Sequence, residues 1–442
     1  MFMDKKVEFD TPKDGVLNSP MNEEAVDILI VGAGMVGAAL ALSLQSLPYR
    51  IALVDSQAEG TFRQTTSTPQ SVSEFEPRVS ALTLASQSLL AELGVWSSLL
   101  PTQISPYREM HVWDELGTEH IHFDAADMQR SELGFIVENR HLIASMHTQL
   151  LQQENLDCFF GANIDSISRA PHRSSHRSSH RTSTTDGSPE SVISLKGGQI
   201  LRAKLLVAAD GANSLVRSRF SFPMREWDYG HQAIVTTVKT EQTHGKIARQ
   251  RFSESGPVAF LPLNDTENSG RYSSIVWSLE TERAKQVMSL DKTEFMAQLT
   301  LAIEGRLGEI EDVATRHSFP LRQRHAKTYV DNGVVLIGDA AHTIHPLAGQ
   351  GVNLGFKDVS ALKKVLQQAY DDRLSVSNDL LLRRYQRARQ SDNVIMMGVM
   401  EGFKRMFEQQ DPLVRLVRNL GMAWVNKQRF IKHEIAKQAM GL

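Results

Sequence analysis

The 442-residue chain is short of the features that usually declare a protein's setting. It has one cysteine, Cys158, so no intrachain disulfide can form and a reducing compartment is expected. It has no run of about eighteen apolar residues, which excludes a membrane-spanning helix. It has no surplus of either charge. With 48 basic residues against 51 acidic ones, the formal net charge is −3, and composition makes no case for nucleic acid. Residues 1–24 lack the apolar stretch of a signal peptide and read as a loose extension. What is present, 41% hydrophobic and 22% charged residues, suits a globular chain of one large or two medium domains.

Order begins at "VDILIVGAGMVG". Val26 to Val31 is an apolar run of the kind found in buried parallel strands, and an Ala/Leu-rich helix follows the glycines. Gly32, Gly34 and Gly37 form G-x-G-x-x-G. The first permits a tight turn, the second lets backbone approach a pyrophosphate, and the third lets helix and strand pack closely. Asp55 ends the next strand, roughly 20 residues on, where an acid accepts hydrogen bonds from ribose hydroxyls. These features together predict a dinucleotide site. They do not separate FAD from NAD.

Two further stretches bear on that choice. "LLVAADGANSLVRSRF" is another strand, a sharp Asp210–Gly211 turn and a helix carrying Arg217. "GVVLIGDAAHTIHPLAGQGVNLGFKD" is a third strand ending at Gly338–Asp339. Strand-end carboxylates lie where ligands bind in open α/β sheets. Asp339 is placed to accept from a polyol such as ribityl. "AGQGVN" bares backbone N–H groups before a helix expected to start near Asn353, and a helix N-terminus stabilises an anion such as reduced flavin. A metal at His342 and His345 lacks further ligands at a known spacing. His342 reads as a loop-packing or hydrogen-bonding residue. His345, held extended by Pro346, either faces the flavin or its substrate or packs in the loop.

The three motifs in this order resemble the flavoprotein aromatic hydroxylases of the p-hydroxybenzoate hydroxylase fold. "HPLAGQGVNLGFKD", "RVSALTLASQSLLAELGVW", "LGFIVENRHL" and "DPLVRLVRNLGMAWVN" resemble, more narrowly, the ubiquinone-biosynthesis hydroxylases (the UbiH/UbiF/VisC group). The resemblance spans about residues 25–440. It implies an α/β fold: a Rossmann-like FAD-binding domain (25–78, 138–220, 322–370), an interleaved mixed-sheet substrate domain (79–137, 221–321) and a C-terminal helical region (371–442).

It also implies roles. Gly32, Gly34 and Gly37 would bind the FAD pyrophosphate, and Asp55 the adenosine ribose. Arg140 would contact FAD phosphates or ribityl, unless it forms a surface salt bridge. Asp210 and Gly211 would lie near FAD, Asp339 on ribityl, and Gly349, Gln350, Gly351, Val352 and Asn353 around the flavin ring. Arg78 would reach the cofactor or form an ion pair. No catalytic base is implied; His345 and Pro346 are the flavin-proximal candidates. The implied reaction puts one oxygen of O2 into a polyprenylated phenol, with NAD(P)H or another reductant as electron donor. Phe260, Leu261 and Pro262 line the substrate cavity or belong to ordinary core. An NAD(P)-dependent dehydrogenase and an FAD-bearing scaffold of a quinone-synthesis complex are the alternatives.

Two segments stand apart. Residues 170–191 hold an HRSS-type repeat in which His172, His176 and His180 recur among Ser, Thr, Pro and Gly, as in a solvated hairpin tip. No functional metal is expected there or elsewhere. Between Phe403 and Lys437, eight Lys/Arg face three acids. Asp411–Pro412 signals a helix start, and Leu413, Leu416, Val417, Leu420 and Trp424 follow at helical spacing. Such a helix lies on an anionic membrane, docks a quinone-synthesis partner, or packs on its own domain. The expected location is cytoplasmic, with peripheral contact to the inner membrane as the further option.

Overall fold

A computed structural model describes residues 23–62, 69–115, 120–170, 189–265, 267–343 and 351–408. Two large sheets share the chain. In the first, the strand Glu23–Val31 pairs in parallel with Ile200–Ala208 on one side and Ile51–Asp55 on the other. Val334–Leu336 and Leu156–Phe160 extend it outward, also in parallel. Covered on both faces, such strands must be apolar throughout. Ile28, Leu29 and Ile30 are accordingly sealed from solvent, each contributing about 1.5–3 kcal/mol by burial.

The helix Met35–Ser43 crosses this sheet and is covered in turn by the helix Gly351–Asp371. Val36 explains two glycines in the later motif. A Cβ at Gly355 would come within 2.5 Å of Val36, and one at Gly338 within 3.2 Å. The helix Asp379–Glu408 closes the assembly. Gln386 Oε1 accepts from the Tyr329 and Val330 backbone N–H groups at 2.8 and 3.0 Å, and Tyr385 donates to the Leu336 carbonyl at 2.8 Å.

The second sheet has nine strands, centred on the long strand Met224–Thr240, which pairs antiparallel with Tyr272–Glu280 and His317–Ala326. Its two faces have different cores. Helices Thr281–Ser289 and Lys292–Ala302 cover one face through Trp277, Ile234 and Phe295. On the other, Ala259, Leu261 and Tyr272 meet Phe75, Tyr107 and Ile136, the last two from a three-stranded sheet of Val79–Thr83, Ile104–Tyr107 and Gly134–Glu138.

The interleaving expected from sequence is present, with one shift. The strand His317–Ala326 runs across the expected boundary at 322, and His342–Thr343 pairs back onto it. The repeat insert joins an antiparallel ladder whose last rung is Arg169 opposite Ser191; residues 171–188, with all three repeat histidines, lie outside the described residues. So does the basic segment from 409 onward. Among the described residues, no helix is long and apolar enough to cross a membrane.

Candidate functional site

Parallel pairing brings the motifs together. Four adjacent strands of the first sheet end at Leu336, Ala208, Val31 and Asp55, and their carboxyl ends carry Asp339, Asp210, Gly32 and Asp55. Open α/β sheets bind ligands at this edge.

At Gly32 the backbone takes φ +102°, and a Cβ would run into the Ala209 carbonyl. A Cβ at Gly37 would strike the Gly32 carbonyl oxygen. Gly34 differs: it precedes the helix without a side-chain cap, and a Cβ there meets nothing within 4 Å. The first-turn N–H groups of this helix have no intrahelical acceptor and face that space. Asp55 partly serves the loop itself. Its Oδ2 accepts from Ala33 N–H at 2.5 Å and its Oδ1 from Gln57 N–H at 2.7 Å. Each carboxylate oxygen keeps a second lone pair for a hydroxyl. His147 bonds the Ala33 carbonyl at 2.8 Å from the helix Asn139–Leu150. Sequence reasoning passed over His147, because nothing local marks a helical histidine as a loop anchor.

Asp210 uses Oδ2 to accept from Leu215 and Val216 N–H groups at 2.7 and 3.2 Å. Its Oδ1 is buried without a partner, and burial pushes the carboxyl pKa up. Gly211 leaves open space, since a Cβ there meets nothing within 4 Å. Arg217, a residue singled out only as part of a helix, links two motifs. It donates to Ala212 O at 2.7 Å and to Ala340 O at 3.0 Å. Asp339 is exposed, and the protein packed around it pushes its carboxyl pKa up.

Of the glycine-rich stretch, His345, Pro346, Gly349 and Gln350 lie outside the described residues. The helix starts at Gly351, two residues before its expected start, and a Cβ there meets only open space. Val352 packs on the first core. Asn353 spends its amide on packing: Nδ2 donates to Ala81 O at 2.8 Å, and Oδ1 accepts from Thr83 N–H at 3.1 Å and Ser86 O–H at 2.6 Å. Its side chain therefore ties the helix start to the strand Val79–Thr83 and the helix after it. His342 has the hydrogen-bonding role expected of it, its Nε2 lying 2.6 Å from Asp358 Oδ2.

The outlying candidates are engaged elsewhere. Arg140 bonds the Glu74 carbonyl at 2.7 Å and pairs with buried Glu138 at 2.9 Å, while its Nε is buried without a partner. Arg78 lies over the Phe319 ring, 5.2 Å from the centroid. Phe260 points into the helix-covered core and Leu261 into the opposite one, so neighbouring residues of one strand pack on different faces. The ordinary-core reading holds for both. Among the described residues, Glu109, His111 and His122 bring three potential metal-ligand atoms within 4.8 Å of one another. Glu109 Oε2 already lies 3.0 and 2.9 Å from the two rings, and the Arg249 guanidinium acts on Glu109 and His111 with a charge that opposes a cation.

The family model described as "FAD binding domain" matches residues 25–394. The chain belongs to this FAD-binding family. It is 37% identical over 424 residues to the 3-demethoxyubiquinol 3-hydroxylase of Escherichia coli (strain K12), covering 96% of this chain and 100% of that protein. It is 33% identical to the mitochondrial ubiquinone biosynthesis monooxygenase COQ6 of Xenopus tropicalis, covering 92% of each. In fold it matches Pseudomonas aeruginosa PqsL with a TM-score of 0.70 at 19% identity, over 89% of this chain and all of that one. The p-nitrophenol 4-monooxygenase PnpA of Pseudomonas putida DLL-E4 gives 0.69 at 17%, over 94% and 98%. The protein is a FAD-dependent monooxygenase, which sets aside the dehydrogenase and scaffold alternatives.

The residues fit FAD. Open space beside Gly34, Gly211 and Gly351, the unpartnered Asp210 Oδ1 and the raised Asp339 carboxyl all lie on or beside one sheet edge. Bound FAD supplies the redox chemistry that activates O2. The residues that would hold it are the first-turn N–H groups after Gly34, toward phosphate, and the carboxylates of Asp55 and Asp339, toward hydroxyls.

Proposed function

We propose that this monooxygenase hydroxylates the ring of a polyprenylated phenol on the route to ubiquinone. The observation that carries this reading is the end-to-end match to a bacterial ubiquinol-ring hydroxylase at 37% identity. In this reading Gly32, Gly34 and Gly37 hold the pyrophosphate at the first helix. Asp55 accepts from the adenosine ribose and Asp339 from ribityl. The backbone from Gly349 to Asn353 borders the flavin ring. Asp210 and Gly211 stand at the same edge, where the electron donor, NAD(P)H or another reductant, would approach.

The second sheet orients the phenol and keeps water away. Each buried methylene of an isoprenoid tail adds about 0.8 kcal/mol, so the tail supplies much of the binding while the ring turns toward the cofactor. A substrate this apolar is collected from a bilayer or a partner protein, which suits the basic segment 403–437. The test is the quinone profile of cells lacking the protein. Ubiquinone should fall and one under-hydroxylated precursor accumulate. Normal ubiquinone with no precursor, in a strain without a second enzyme for the step, would refute the substrate assignment.

A further inference from the structure

The helix Asp379–Glu408 carries none of the three motifs, yet it reaches under one of them. Arg389, 3% exposed, donates from Nε to Asp358 Oδ1 at 2.7 Å. Asp358 is wholly buried. Its other oxygen, Oδ2, accepts from the Gly338 backbone N–H at 2.9 Å and lies 2.6 Å from His342 Nε2. Gly338 and His342 are the two ends of the turn that presents Asp339. One carboxylate oxygen thus pins both ends of the turn, and Arg389 holds the other oxygen.

The remaining bonds of Arg389 lock it in place. Nη2 donates to Asn393 Oδ1 at 3.0 Å, and Asn393 Nδ2 donates to the Tyr329 hydroxyl at 3.0 Å. Tyr329 in turn lies 2.8 Å from His325 Nε2. Because Asn393 donates to it, the hydroxyl is free to donate onward to His325. His325 pairs across the strands with His342, which closes the circuit behind the turn. Asp358 also sits on the helix that begins at Gly351. The network therefore sets the strand-end turn against the helix N-terminus, the two pieces of backbone that face the cofactor. The turn has little slack, because Gly338 adopts φ +57° with Val36 against it.

We propose that Arg389, acting through Asp358, is a positioning residue for the cofactor loop. Removing the guanidinium leaves a buried carboxylate with half its support. It must then take up a proton or move, and either change loosens the grip on Gly338 and His342. A purely structural ion pair would affect melting temperature alone, so the experiment separates the two. Apoprotein of Arg389→Met, Arg389→Lys and the double variant Asp358→Asn/Arg389→Met is titrated with FAD well below each melting temperature, and the bound-flavin absorption spectrum is recorded.

Arg389→Met should weaken FAD binding by about tenfold or more and shift the flavin spectrum toward that of free FAD. Arg389→Lys, which keeps the charge, should recover part of both. The double variant removes the uncompensated charge and should regain melting temperature without regaining FAD affinity. If Arg389→Met does not fold, the double variant carries the test. Wild-type FAD affinity and spectrum in any folded variant lacking Arg389 would overturn the proposal. The FAD readout is independent of the substrate, so its failure leaves the ubiquinone assignment standing and the converse also holds.

Discussion

The two large sheets offer different surfaces to a ligand. The first presents turns: three loops at the ends of adjacent parallel strands, where glycine, backbone N–H and carboxylate are on offer. The second presents a packed surface, whose strand Val258–Leu263 is buried along its whole length and sends alternate residues into two cores. A cofactor at those loops would be held largely through backbone and three acids. A substrate lying on the second sheet would meet side chains that also hold the fold together. Damage to the first sheet's loops should therefore cost cofactor, and damage to the second should cost stability.

The sharpest test lies within one motif. Gly37→Val should abolish soluble protein, because its Cβ strikes the Gly32 carbonyl, whereas Gly34→Val should fold normally and lose bound FAD. Expression yield and flavin released on denaturation check both. A soluble, FAD-replete Gly37→Val protein would break the comparison at its root. On the second sheet, Phe260→Ala should cost about 3–5 kcal/mol of unfolding free energy while any folded fraction binds FAD like wild type. Denaturant titration alongside FAD titration gives both numbers. Asp339→Ala should fall between these two, weakening FAD with little change in melting temperature.

A smaller effect is set by pH. Burial, with His342 beside it, pushes His325 down to about 4. Below the ordinary histidine pKa of about 6.5, the unfolded chain binds a proton that the folded chain refuses. Stability contributed by this site is therefore full above about 6.5 and falls as pH drops toward 4. Melting temperature against pH should be less steep over that interval in His325→Gln. Smallest of all, deleting residues 172–188 should leave FAD content and turnover unchanged. The ladder on either side of it already closes at Arg169 and Ser191.

Much of the first sheet was legible because its signals are local. An apolar run, three glycines at fixed offsets and an acid at the next strand's end lie within about thirty residues. Asp210 and Asp339 were legible for the same reason, each ending a visible strand. What the Asn353 side chain bonds was not legible. Its amide is claimed by Ala81, Thr83 and Ser86, some 270 residues away in sequence. Arg140 has distant partners too, in the Glu74 carbonyl and in Glu138, the salt-bridge alternative for it. Phe260 and Leu261 were left between cavity and core, since alternation along a strand says that two faces exist and not what covers them.

By itself, then, the sequence determined the glycine loop and the strand-end acids, which rest on backbone conformation and short-range spacing that the residues dictate wherever they fold. The enzyme class came from the resemblance of whole stretches to a known family. Only the tertiary structure decided that His147 anchors the glycine loop, that Arg217 bridges two motifs, and that Arg389 reaches from a helix without a motif to brace the Asp339 turn. The physical reason is the same in all three. A buried polar group must find a partner, the partner is chosen by which helices pack side by side, and that choice is written in the summed burial of many apolar residues rather than in any one stretch of chain.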